Sequence, residues 1–207
     1  MKTIIVILVS FTLNTLIAQT PYDEGMKKAF ELWKSNNVDK AANLFERIAK
    51  AENKEWLPYY YAAQINIIDA YQIGDAEMIE ARLTKAQEFL NAAKSITKDN
   101  AELLVLEAML NTAYVVYDSA KYGMTHSPKV EALYQQAKKI DSLNPRAIIN
   151  HAEWKMGAAK YFGKDPKIYC AEVDRAIPLF KKSTNTDPYY PTWGLNQISR
   201  IQKNCRE

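Results

Sequence analysis

Glycine is scarce in this 207-residue chain, at 6 residues, and proline supplies only 8. A many-stranded sandwich or barrel needs a turn signal about every 8–12 residues, so that class is excluded. With so few glycines there is no Walker loop and no GxGxxG phosphate cradle, and no GxSxG elbow occurs. Histidine is nearly absent: only His126 and His151 occur. His151 opens the run HAEW, which lacks the second histidine of a zinc-binding HExxH helix. Two cysteines occur, without a CxxC. An excess of one charge is also missing, since 27 Lys and Arg meet 24 Asp and Glu for a net charge of +3. Lys and Glu alternate along the chain, so no basic stripe for nucleic acid forms. No catalytic residue, metal site or cofactor is expected, and the protein is read as a non-enzyme. The chain is 48% hydrophobic and 25% charged, which is neither disordered nor collagenous. It reads as a mostly helical soluble protein.

The beginning of the chain reads as an address. Lys2 is the only charge before Asp23, and the apolar run from Ile4 to Val9 follows it. A mixed stretch then leads to Ala18-Gln19. A basic end, an apolar segment and a small residue form a secretory signal. Residues 1–18 are read as that signal, cut after Ala18; an uncleaved anchor is the alternative. No cysteine follows the apolar run, so a bacterial lipid anchor is not expected. Thr12, Asn14 and Thr15 interrupt the stretch, leaving it short of the ~20 residues of a comfortable span. The remainder contains no other membrane span. Loss of Lys2 with the signal leaves the mature chain nearly neutral.

The body of the chain repeats. The segment AFELWKSNNVDKAANLF, from Ala29 to Phe45, reads as helix, Asn36-Asn37 turn and helix. Small residues recur on successive first helices at Ala29, Ala63, Ala108 and Ala152. On second helices Ala41, Ala86, Val130 and Ala176 recur at steps of 45, 44 and 46 residues. One turn further lie Phe45, Leu90, Tyr134 and Phe180, then Ile48, Ala93, Ala137 and Ser183. This pattern resembles the tetratricopeptide (TPR) repeat family, although the usual TPR period is about 34 residues. The longer step is assigned to longer helices or turns, marked by Gly74-Asp75, Gly123 to Pro128 and Gly163 to Pro166. The expected architecture is an all-α, TPR-like solenoid of four antiparallel pairs plus a C-terminal capping helix. The pairs span about 22–53, 55–98, 99–142 and 145–188, and the cap spans 191–207. The cap would turn Trp193, Leu195, Ile198 and Ile201 inward, and Asn196, Gln197, Arg200, Gln202 and Lys203 outward. Within Tyr59-Tyr60-Tyr61, successive residues point about 100° apart on a helix, so at least one must leave the core.

Cys170 and Cys205 are expected to form a disulfide, as an even cysteine number does in an exported protein. They lie eighteen residues before and seventeen after Pro188. Across an antiparallel hairpin turning at Pro188, with the first helix running to about Thr186, such positions meet.

The TPR resemblance implies a concave groove lined by the first helix of each pair. Its groove-facing pattern falls on Met26, Phe30 and Trp33 in the first pair and on Tyr60, Gln64 and Ile67 in the second. It falls on Met109 and Thr112 in the third, and on Arg146, Glu153 and Met156 in the fourth. This lining is apolar and aromatic and lacks the basic clamp that some TPR proteins use for a C-terminal carboxylate. Joint replacement of Trp33, Tyr60 and Arg146 is expected to weaken partner capture without unfolding the array. The overall look is similar to exported TPR proteins of Gram-negative bacteria. The implied function is binding of another protein or peptide, as a scaffold or assembly factor in the periplasm or at the cell surface. The alternative is a periplasmic carrier of a small molecule or peptide in an aromatic groove.

Overall fold

The computed structural model describes residues 20–182 and 185–206. The expected signal, residues 1–18, and Ser183 of the repeat series lie outside them. Nine α-helices occur among the described residues, with no strand. They are α1 (Pro21–Lys34), α2 (Val38–Ala51), α3 (Trp56–Ala70), α4 (Ala76–Ile96), α5 (Ala101–Tyr117), α6 (Ser119–Ile140), α7 (Pro145–Tyr161), α8 (Cys170–Ala176) and α9 (Leu195–Arg206). No helix among the described residues is long and apolar enough to cross a membrane.

Side-chain oxygens close most of the helix starts. Thr20 forms a capping box with Asp23, and Pro21 follows where its missing N–H costs nothing. Asp75, Asn100, Asp118 and Asn144 accept backbone N–H bonds at the starts of α4 to α7. Each such cap stabilises its helix by about 1 kcal/mol. The turn at Asn36-Asn37 forms as read, with Asn36 in the left-handed region at φ 61°, which asparagine tolerates.

Short connections make α1/α2, α3/α4 and α5/α6 hairpins, and these pack one on the next. The first helices α3, α5 and α7 also touch in succession. The repeat positions explain that packing. Ala29, Ala63, Ala108 and Ala152 are fully buried, as are Ala41, Ala86, Val130 and Ala176. A small residue at each crossing lets backbones approach, and Phe45, Leu90 and Tyr134 fill the space one turn away. Helix α5 is the most apolar and sits mid-array with neighbours on both sides.

Three expectations about local structure fail. Gly123 to Pro128 is not a turn but lies inside α6, because a single residue, Asp118, connects and caps α5 and α6. The helix carrying Cys170 does not run to Thr186. It is an α-helix only to Ala176 and tightens into a 3-10 helix over Ile177–Lys182. Pro178 is the cause, since it lacks an N–H and its ring clashes with the carbonyl four residues back. Leu195 faces solvent at the start of α9, whereas Ile198 and Ile201 are buried as expected.

The bridge between Cys170 and Cys205 is present, with Cα atoms 5.9 Å apart. It ties α9 to α8 through this irregular route rather than across a long helical hairpin.

Candidate functional site

The first-helix face expected to receive a partner is largely covered by the chain's own segment 185–194. Tyr61 Oη donates to the Tyr189 carbonyl at 2.6 Å. Tyr189 Oη lies 3.1 Å from both the carbonyl and the carboxylate Oδ1 of Asp23. Its ring meets Tyr22 edge-on and stacks beside Phe30. Further along, Trp193 Nε1–H donates to Tyr60 Oη at 2.7 Å. The Arg146 guanidinium lies 6.0 Å from the Tyr190 ring and 5.9 Å from the Trp193 ring, within cation–π range. The segment thus straps α1, α3 and α7 together.

Beneath the strap is a buried polar knot. Glu102 accepts from Arg146 Nε and Nη2, each at 2.7 Å, and from Asn144 Nδ2 at 2.6 Å. Glu102 is fully buried and Arg146 nearly so. Burial works against the Arg146 charge, but the bonds to Glu102 outweigh it and raise its pKa. Removing the guanidinium would strand a buried carboxylate, a loss of about 3–5 kcal/mol.

The expected groove residues therefore divide. Met26, Tyr60, Gln64, Ile67, Arg146 and Met156 are buried in the interior. Phe30, Trp33, Met109, Thr112 and Glu153 are half-buried, and Glu153 pairs with Arg200 of α9. Because Tyr60 and Arg146 are interior, replacing them with Trp33 would test stability rather than capture. Of the three successive tyrosines, Tyr60 and Tyr61 are buried and Tyr59 packs partly exposed.

A second region was not singled out in the sequence. A cleft of about 330 Å³ opens between α4, α5 and the first half of α6. Its aromatic wall is Tyr114, Tyr122 and His126. The Tyr114 centroid lies 5.0 Å from Tyr122 and 4.7 Å from His126, and Tyr122 meets His126 edge-on at 5.4 Å. Leu110 forms part of the floor, and Glu80, Thr84 and Gln87 line the α4 side. Lys121 Nζ and Tyr122 Oη both donate to Glu80 Oε1, at 2.8 and 2.7 Å. These bonds hold the Glu80 carboxyl below its ordinary pKa. Lys129 sits exposed at the edge, with no ion-pair partner among the described residues.

His126 has a defined tautomer. Asn111 Nδ2 donates to the Glu107 carbonyl at 2.8 Å, which turns Asn111 Oδ1 toward the imidazole. That oxygen lies 2.8 Å from His126 Nδ1, so Nδ1 carries the proton. Burial, with Lys129 nearby, lowers the His126 pKa from 6.5. The ring is neutral at pH 7 with its lone pair on Nε2. Among the described residues, no cluster of three or more His, Cys, Asp or Glu is placed to hold a bare metal ion.

The signal for this wall was present, since Tyr122 and His126 stand four apart and share a face once the segment is helical. Gly123 and Pro128 hid it by reading as a loop. The cleft's size and mix of aromatic and polar groups suit a small-molecule site.

No protein-family model matches the chain, and no curated protein matches it. Its fold is similar to that of the HusA haemophore from Porphyromonas gingivalis, with a TM-score of 0.78, 23% sequence identity, and coverage of 90% of this chain and 94% of that one.

Proposed function

We propose that the protein is an exported carrier that holds a flat, aromatic ligand of the haem class in the α4/α5/α6 cleft, without transforming it. The observation that carries this reading is the aromatic cleft with a basic edge, found in a chain whose fold matches a haemophore along nearly its whole length. Tyr114 and Tyr122 offer ring faces and edges to a planar ligand. Lys129 offers an unpaired cation to a ligand carboxylate. The cleft is open on one side, so a macrocycle larger than its volume can insert one edge. Export is supported by the Lys2 and Ile4–Val9 pattern and by the Cys170–Cys205 bridge, because disulfides persist in oxidising compartments. The stacked hairpins are TPR-like, and here the array serves as a frame for the cleft.

A second reading, capture of a protein or peptide, has one local observation in its favour. Phe30, Trp33 and Lys34 line an open depression of about 340 Å³ at α1.

Titration with haemin, followed by Soret absorbance, tests the carrier. Saturable one-to-one binding is expected. Tyr114→Ala and Tyr122→Ala should each weaken it by about two- to ten-fold, the scale of one aromatic contact. Absence of saturable binding by the unaltered protein refutes the carrier reading.

A further inference from the structure

The turn that follows α7 holds its apolar side chains outward. Tyr161, Phe162 and Ile168 are 73%, 69% and 68% exposed. Large apolar side chains gathered on a surface mark a site that something else covers. The backbone beneath them is fixed. Gly163, at φ 66°, donates to the Lys160 carbonyl at 3.1 Å, and Lys164 N–H donates to the Ala159 carbonyl at 2.7 Å. That pair of bonds is a Schellman cap. The position after the glycine, which in such caps often folds an apolar side chain back onto the helix, is here Lys164. Asp165 Oδ1 then accepts the Lys167 N–H at 2.9 Å and starts a 3-10 turn over Pro166–Tyr169, which packs back on α7. Tyr169 of that turn joins the core between α7, α8 and α9, while Ile168 stays outside. The Tyr161 and Phe162 rings meet edge-on with centroids 5.1 Å apart, a preset pair rather than two loose side chains.

Lysines are interleaved with these apolar residues. Lys160, Lys164 and Lys167 are all exposed, and Asp165 is the one acid between residues 160 and 169. The next acid, Glu172, faces Lys155. The chain as a whole is nearly balanced in charge, so this basic excess is local. The turn between α5 and α6 exposes Val116 and Met124. Successive helices joined by short turns run antiparallel, so that turn and the one after α7 lie at the same end of the array.

We infer that this end of the array docks on an anionic lipid bilayer. Tyr161, Phe162 and Ile168 enter the interfacial layer, and the flanking lysines rest among the headgroup phosphates. Aromatic rings beside lysines suit that layer, because each ring has an apolar body and each lysine stem lies along apolar surface while its ammonium stays wet. A protein interface would use the aromatic residues but exclude lysine from its centre, whereas here lysines alternate with apolar residues through the patch. Charge complementarity therefore selects the bilayer. The attachment is peripheral and reversible. It is independent of the carrier reading, since none of these residues lines the α4/α5/α6 cleft.

Co-sedimentation with lipid vesicles tests the docking. Protein recovered from the exported fraction is used, so that the unaltered chain and its variants share one N-terminus. The unaltered protein should bind vesicles of equal parts phosphatidylcholine and phosphatidylglycerol about ten-fold or more tightly than pure phosphatidylcholine, and added salt should remove most of that difference. Tyr161→Ser with Phe162→Ser should weaken binding to the anionic vesicles about ten-fold or more, because two rings no longer enter the interface. Lys164→Gln with Lys167→Gln should weaken it about ten-fold and leave binding to pure phosphatidylcholine unchanged. All four side chains are exposed, so neither variant should move the thermal midpoint. Failure of the unaltered protein to sediment with anionic vesicles overturns the docking. Equal binding by the unaltered protein and both variants also overturns it, by placing the lipid contact elsewhere. Self-association that Tyr161→Ser with Phe162→Ser abolishes, without vesicle binding, would assign the patch to a second copy of the chain instead.

Discussion

His151 shows how a single residue couples this fold to pH. It sits on α7 with Tyr134 stacked beside it, Glu131 and Lys138 of α6 on its two nitrogens, and Lys155 of its own helix nearby. Burial lowers its pKa from 6.5, and the nearby Lys138 charge acts in the same direction. The Glu131 bond opposes both without prevailing. Protonation would also remove the acceptor that Nδ1 offers to Lys138. In the unfolded chain the imidazole takes up its proton near pH 6.5, whereas the folded site stays neutral to lower pH. The unfolded state therefore binds more protons in that interval, and stability rises with pH across it. His151 contributes stability that is fully present above pH 6.5 and is lost as the pH falls through the folded pKa. His126 is shifted the same way and adds to the loss. Urea denaturation from pH 8 to pH 5 should show a falling midpoint below pH 6.5, and His151→Gln should flatten that fall. An equally steep fall in the variant would show that the pH response lies elsewhere. At this scale much was legible in the sequence. The repeat positions Ala29, Ala63, Ala108 and Ala152, Ala41, Ala86, Val130 and Ala176, and Phe45, Leu90 and Tyr134 are buried as their periodicity implies, while Phe180 is half-buried. Residues whose setting depends on contacts across helices, such as Glu102 with Arg146, were not legible, because charged side chains are seldom fully buried and Arg146 fell among the groove positions.

At the scale of elements, proline and glycine decided where sequence reading succeeded and failed. Pro145 opens α7 behind the Asn144 cap, where its missing N–H costs nothing. Gly123 and Pro128 read as a turn but lie inside α6. The tight α5–α6 junction and the packing of Tyr122 and His126 on α5 outweigh the local preference against helix, and that override creates the cleft. Pro178 acts in the opposite sense and ends a helix that hydrophobic spacing alone would extend. Gly194 was not singled out, yet it determines how the strap enters α9. Its φ is +114°, a region that side chains rarely adopt. A Cβ there would lie 2.9 Å from two ring carbons of Phe180 and 3.2 Å from Ile149 Cδ1. Gly194→Ala should therefore destabilise the protein by about 1–3 kcal/mol through backbone strain and crowding. Thermal unfolding should show a lowered midpoint. An unchanged midpoint would mean that the strap and α9 meet with more freedom than this geometry allows.

For the molecule as a whole, the strap and the disulfide act together. Repeat arrays leave one face open along their length, and here much of that face carries Met26, Phe30, Tyr60 and Tyr61. Segment 185–194 covers them, with Tyr189 joining the apolar core of α1 to α5 and Trp193 packing against that of α5, α6 and α7. Because the strap lies between Cys170 and Cys205, the bridge limits how far it can depart when its contacts break. Sequence separation across the bridge is 35 residues, and closing a loop of that length in the unfolded chain is worth about 3–4 kcal/mol. The pairing was legible from the even cysteine count in a chain read as exported, whereas the symmetry about Pro188 assumed a helical hairpin that does not form. The strap was not legible, because no local pattern reveals that an irregular segment will lie across helices more than a hundred residues earlier. Reduction, or paired Cys170→Ser and Cys205→Ser replacement, should lower stability by that amount in chemical denaturation. The loss should also be uneven. Backbone amides of 185–194 and α9 should lose hydrogen-exchange protection first, while the α3/α4 and α5/α6 hairpins, buried mid-array, retain theirs. Because the cleft proposed to hold the ligand lies between α4, α5 and α6, away from the strap, haemin binding should survive reduction. Loss of haemin binding on reduction, with those hairpins still protected, would place the ligand on the strapped face instead.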